Sequence, residues 1–186
     1  MDLLVHPLAK PLWHGWAQPA HERAARIRCA LGRHGCTHAK REGDGKTPYG
    51  ALPMRRLWYR ADRVAARLLP RQLPVEKIAP DHIWSNDGRD PDYNRPGRAP
   101  HPFRHEKLWR EDHLYDVFVE LGWNDSPPSP DKGSAIFLHL TTPDLSPTEG
   151  CVALPWRDLQ RLLPSLRRGD RVLIAPDAPQ TAPRQS

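Results

Sequence analysis

Apolar positions along this chain come in short runs separated by proline or glycine. Extended runs read at 27–31, 55–60, 115–122, 134–139 and 171–175, several of them bounded by Gly or Pro as strands commonly are. The clearest is Asp116-Val117-Phe118-Val119-Glu120-Leu121, followed by Gly122. Helical spacing shows in two places. Residues 155–163 begin with a proline and set Leu159, Leu162 and Leu163 on one side, whereas 59–69 contains good helix formers but suits a strand as well. Residues 79–105 and 124–133 read as loops, and 176–186 as a disordered Pro-rich tail. Twenty-two prolines in 186 residues break the chain too often for long helices, so the pattern predicts a mainly β class.

Length and composition narrow this to one domain with tails: an N-terminal extension over 1–26, a domain over 27–175 and the tail. Hydrophobic residues are only 38% of the chain, but seven Trp, four Tyr and three Phe supply large apolar groups for a core. No apolar run exceeds four residues, against the roughly 20 a spanning helix needs, so no membrane insertion is expected. The first thirty residues offer only Leu3, Leu4 and Val5 before His6 and Pro7, which is no export signal and reads as cytoplasmic. The formal net charge is +6, with a basic N-terminal part and an acid-rich stretch over 76–150. Neither a nucleic-acid-binding motif nor an aromatic-basic stacking pattern accompanies the arginines, so they read as a solvated charged face and no nucleic-acid partner is expected.

Of the three cysteines, Cys29 lies in an expected strand and Cys36 in an expected turn, at a spacing that suits neither redox nor zinc chemistry. Cys151 is placed differently, in Thr148-Glu149-Gly150-Cys151-Val152-Ala153 with the helical pattern following. A thiol at a helix N-terminus has a lowered pKa, and Gly150 allows a tight turn in which the Gly150 and Cys151 N–H groups form an oxyanion hole. The strand at 134–139 ends in His139, a candidate general base. On spacing alone, a buried structural Cys151 and a satisfied strand-end His139 are the more economical reading.

Two motifs in order change that weighing. His139, a linker, then Thr148-x-Gly150-Cys151-Val152 resembles the L,D-transpeptidase catalytic domain (YkuD-like) pattern of a His, a loop, then S/T-x-G-C-I/V-R. The block from Lys40 to Gly50, with Thr47-Pro48-Tyr49-Gly50, resembles the family's early T-P-x-G hairpin, and segments 84–94 and 108–116 are similar to a bacterial subgroup. The likeness spans roughly 27–175. It implies a β-sandwich of two mixed sheets with one or two short helices, and a cofactor- and metal-free enzyme acting on peptidoglycan stem peptides or muropeptides in the cell envelope. Cys151 would then be the nucleophile, His139 the base and Gly150 an oxyanion-hole residue, with Thr148, Glu149, Trp109, Arg110, His113 and Arg157 as candidate substrate contacts. An amine acceptor gives transpeptidation; water gives L,D-carboxypeptidase hydrolysis of recycled muropeptides.

The chain departs from the family pattern at Ala153, where an Arg is usual, and at Glu149, where His or Lys is frequent. Arg157, Lys40 or Arg110 are candidate replacements for the missing cation. Two readings of other classes remain. His101, His105 and His113 with Glu106 and Asp112 would suit a metal hydrolase, although Pro102 interrupts them and no H-E-x-x-H pattern is present. Trp84, Trp109 and Trp123 would suit a glycan platform in a non-catalytic peptidoglycan-binding module.

Overall fold

The computed structural model describes residues 1–22 and 26–176, so the expected tail lies, apart from Pro176, outside the described residues. Fourteen strands and one α-helix follow one another among them. They are β1 (Leu3–Pro7), β2 (His14–Pro19), β3 (Ile27–Ala30), β4 (Cys36–Thr37), β5 (Thr47–Pro48), β6 (Gly50–Tyr59) and β7 (Val75–Lys77). Then come β8 (His82–Ser85), β9 (Pro96–Arg98), β10 (His105–Lys107), β11 (Val117–Leu121), β12 (Phe137–Leu140), β13 (Val152–Leu154), α1 (Trp156–Leu162) and β14 (Arg171–Ile174).

The mainly β class and the short helix agree with the pattern, but the two-sheet sandwich does not. Eight strands close into a barrel in the order β11-β12-β13-β3-β2-β1-β14-β6, with β6 returning to β11 and β7 added beside β6. The reason is the length of β6. Its first residues, Gly50 to Pro53, pair with β14, while Met54 to Tyr59 pair with β11 on the other side. One strand therefore joins what would be two edges, and closure removes the exposed edge groups.

Two further expectations change. Residues 1–26, read as an extension, supply β1 and β2 in the middle of the barrel wall, where Leu3, Val5 and Ala17 are fully buried. Alternation over so short a segment, flanked by His and Pro, was too faint to read as a wall strand. Residues 79–105, read as a loop, carry most of a separate three-stranded sheet, β10-β8-β9. Residues 59–69 resolve into the end of β6 and a single 3-10 turn at Ala66–Leu68.

Strand alternation produces two large cores and a small third cluster of Ala30, Leu145 and Ala153. The barrel interior packs Leu3, Val5, Leu57, Val119, Leu138 and Val152, joined by Leu159 and Leu162 of α1. Outside the wall, Trp58, Phe118, Phe137 and Cys151 pack with Trp84 and Leu108 from the small-sheet region. Edge-on contacts of Trp84 and Tyr115 with Phe137, at 5.0 and 5.9 Å between ring centroids, knit this second core together. The small sheet thus covers the outer face of the wall beside Cys151.

Candidate active site

β12 and β13 run parallel, with Leu138 beside Val152, His139 beside Ala153 and Leu140 beside Leu154. Side chains alternate along a strand, so Leu138, Leu140, Val152 and Leu154 fill the barrel while Phe137 and Cys151 pack outside it and His139, Cys151 and Ala153 line the cavity on that side. Strand spacing and rise put the Cα atoms of His139 and Cys151 about 8 Å apart. Both line one cavity of about 500 Å³.

Parallel neighbours need a crossover, and here residues 141–151 make it. Thr148 pins that crossover on both sides: its N–H donates to Leu31 O at 2.9 Å, and its carbonyl accepts from Arg33 N–H at 2.9 Å. Its hydroxyl accepts from Gly150 N–H at 3.1 Å and donates to Cys151 O at 2.7 Å. The Thr47 hydroxyl reaches the same carbonyl at 3.4 Å, so the early T-P-x-G block braces the cysteine turn directly. Gly150 has φ +137°, and a Cβ there would meet Lys46 O at 2.7 Å. Only glycine fits this turn.

Three expectations about Cys151 are corrected. It is followed by β13 rather than a helix, and α1 begins only at Trp156, so no helix dipole acts on the thiol. Burial pushes the thiol up to about 12; Phe137 N–H, 3.3 Å from Sγ, and the Lys40 charge oppose this, while Glu106 and Glu149 reinforce it. The resting group is a protonated thiol that donates to Ala135 O at 3.2 Å. Gly150, expected to supply an oxyanion-hole N–H, directs that N–H at Thr148 Oγ1 instead.

His139 lies 2.7 Å through Nδ1 from Leu140 O. A carbonyl can only accept, so the proton sits on Nδ1 and Nε2 keeps its lone pair. Burial lowers the imidazole to about 4, so it is neutral. The ring of Tyr115 stands edge-on to it at 5.3 Å, and the Tyr115 hydroxyl donates to Glu106 Oε1 at 2.8 Å.

Among the candidate substrate contacts, Thr148, Glu149 and Arg110 line the cavity. Trp109, His113 and Arg157 do not. Trp109 carries the Arg60 guanidinium 3.4 Å from its ring centroid, His113 is exposed and bonded to Asp116 at 2.7 Å, and Arg157 is exposed on the first turn of α1. Of the candidate replacement cations, Lys40 and Arg110 therefore reach the cavity. The histidines do not converge: His101 Nε2 bonds Asp90 at 2.6 Å, His105 Nδ1 bonds Phe103 O at 2.7 Å, and His113 stands with Asp116. No group of three or more His, Cys, Asp or Glu among the described residues is arranged to hold a metal ion. The tryptophans form no common platform, since Trp84 is buried and bonded to Asn94 while Trp123 donates to Lys132 O. Glu42 and Tyr115 carry no motif that points to the site, and Glu106 stands out in the sequence only as a candidate metal ligand; all three line the cavity.

The YkuD family profile, L,D-transpeptidase catalytic domain, matches residues 16–174. No curated protein and no solved structure matches the chain. With the profile covering the barrel from β2 to β14, the chain belongs to the YkuD family of L,D-transpeptidase catalytic domains.

Proposed function

We propose that the protein catalyses acyl transfer of the L,D-transpeptidase type on peptidoglycan stem peptides, through Cys151 and His139. The observation that carries this reading is the shared outer face: thiol and imidazole line one cavity, with the imidazole held in the tautomer that leaves Nε2 able to accept a proton. Cys151 Sγ attacks the carbonyl of the L,D bond before the terminal D-alanine as His139 Nε2 takes the thiol proton. Collapse of the tetrahedral adduct breaks the C–N bond, and His139 returns the proton to the leaving amine. An incoming amine then attacks the thioester and gives a proton to His139, which passes it back to sulfur. With Gly150 N–H bonded to Thr148, the Cys151 N–H is the backbone donor assigned to the oxyanion, a contribution of about 3–4 kcal/mol for one good donor.

Purified protein incubated with a disaccharide tetrapeptide tests the reading by mass spectrometry. Cross-linked dimer, or exchange with added D-amino acids, marks amine acceptors; free D-alanine with tripeptide alone marks the carboxypeptidase reaction. Cys151→Ser and His139→Ala should each remove nearly all turnover, because nucleophile and base act as a unit. Product formation unchanged in both variants would overturn the mechanism.

A further inference from the structure

The cations around the cavity are already engaged. Lys40 pairs with Asp44 and donates to Arg41 O, Arg33 at the rim pairs with Glu149, and Arg110 grips Asp112 through Nε at 2.9 Å and Nη2 at 2.6 Å. Glu106 on β10 is served differently. Its Oε1 accepts from the Tyr115 hydroxyl and forms a longer ion pair, at 3.5 Å and without a hydrogen bond, with Nη1 of Arg110. No described residue hydrogen-bonds Oε2, and the side chain keeps 27% exposure in a residue that lines the cavity. Glu106 and Cys151 line the same cavity, where a charge on Glu106 raises the thiol and burial raises the Glu106 carboxyl itself. Glu42, another carboxylate in the wall, differs: hydroxyls of Tyr93 and Ser134 both donate to its Oε2, tying down the segment that leads to Ala135.

A carboxylate beside the reacting thiol, with one oxygen satisfied and the other open, is complementary to a compact cation carrying several N–H donors. We propose that Glu106 is a subsite for a primary ammonium group of the peptide substrate, and so selects stems whose diamino acid has a free amine. The assignment rests on the stem-peptide reading above. An ammonium can bond Oε2 while Tyr115 keeps Oε1, whereas an N-acylated amine brings neither the charge nor the extra donors. The donor stem and the incoming acceptor both carry such a group, and the two arms of the test separate them.

In the first arm, calorimetry on the Cys151→Ala protein compares a tetrapeptide with a free diamino-acid side-chain amine and the same peptide N-acetylated. The free amine should bind about tenfold tighter or more, the range of a charge-assisted hydrogen bond. Adding Glu106→Gln, which keeps an acceptor for Tyr115, should bring the two peptides to near parity. In the second arm, acyl-enzyme preformed on protein with Cys151 intact is chased with a diamino acceptor. A tenfold rise in acceptor KM in Glu106→Gln, with no preference in the first arm, assigns the ammonium to the acceptor. The proposal is overturned if neither arm shows a preference, or if a preference survives Glu106→Gln. If a Glu106-dependent preference is present but neither peptide is cleaved by the unmodified protein, the catalytic reading fails and the subsite stands.

Discussion

One pair of strands carries two chemistries. On the inner face of β12 and β13, Leu138, Leu140, Val152 and Leu154 are at most 5% exposed and pack into the barrel core. On the outer face, one residue along, sit His139 and Cys151, buried nearly as deeply but lining a cavity. The backbone is shared, so the inner face fixes where the outer one stands: leucine packing in a barrel closed by β6 sets the strand register, and the register sets the separation of thiol and imidazole. His139 stands on the strand itself, and Cys151 is held in the braced turn immediately before β13, so the strand pair anchors both.

Crossed substitutions sharpen the comparison most. His139→Ala should lower turnover by about 10²–10⁴-fold, the usual worth of a positioned general base, with a smaller loss of stability than at Leu138 because the His139 side chain already borders an open cavity. Leu138→Ala, its neighbour on the other face, should cost about 2–5 kcal/mol of stability by opening a cavity, and should keep most of the turnover at temperatures where it is folded. Denaturant melts and product assays on both variants check this. Equal effects on stability and turnover at both positions would break the division between the faces.

Gly150→Ala probes the turn that joins the faces. The new Cβ must displace Lys46 O or shift the Cys151 backbone, since no flexible side chain is the closest obstacle. Shifting a nucleophile by about 1 Å can cost on the order of 10²-fold in rate, and the strained φ adds about 1–3 kcal/mol of destabilisation. Acyl-enzyme formation on the tetrapeptide donor, followed by mass spectrometry, reads the first effect directly. Wild-type acylation in Gly150→Ala would mean that the turn does not position the thiol.

The sequence exposed the outer face better than the barrel that builds it. Cys151 and His139 were legible because motif spacing survives in one dimension, as was α1, from its proline and three leucines. Closure was not, because it depends on β6 pairing to different strands at its two ends, a long-range fact that no local period encodes. Strands of two or three residues such as β9 and β10 have too few positions to show alternation, so the small sheet read as loop. Glu106 escaped for the same reason, since it lies on β10 and reaches the site only when that sheet packs on the wall; Tyr115 lies just before β11, where the strand reading says nothing of what it faces. The thiol's environment was misread because the helix expected after Cys151 starts five residues too late, after a buried strand.

That last point yields the smallest effect and the sharpest reading of the outer face. With Cys151 pushed up to about 12 and His139 lowered to about 4, both by burial, the resting pair is neutral thiol and neutral imidazole. Proton transfer then accompanies attack, so the acid limb of the acylation rate should fall near 4 rather than near 6.5, with no basic limb until about 12. The same shifts bear on stability with opposite signs. His139, lowered on folding, contributes stability that is present above 6.5 and is lost as pH falls through about 4. Cys151, raised on folding, contributes stability that is present below 9 and is lost as pH rises through about 12. Iodoacetamide, which needs thiolate, should label all three cysteines slowly at neutral pH, because Cys29 and Cys36 are also raised to about 12. Cys151 should still precede the fully buried Cys29, since it opens onto a cavity. Rapid, pH-independent alkylation of Cys151 between about pH 6 and 8 would instead mean a preformed thiolate–imidazolium pair, and the neutral resting state derived from its burial would be wrong.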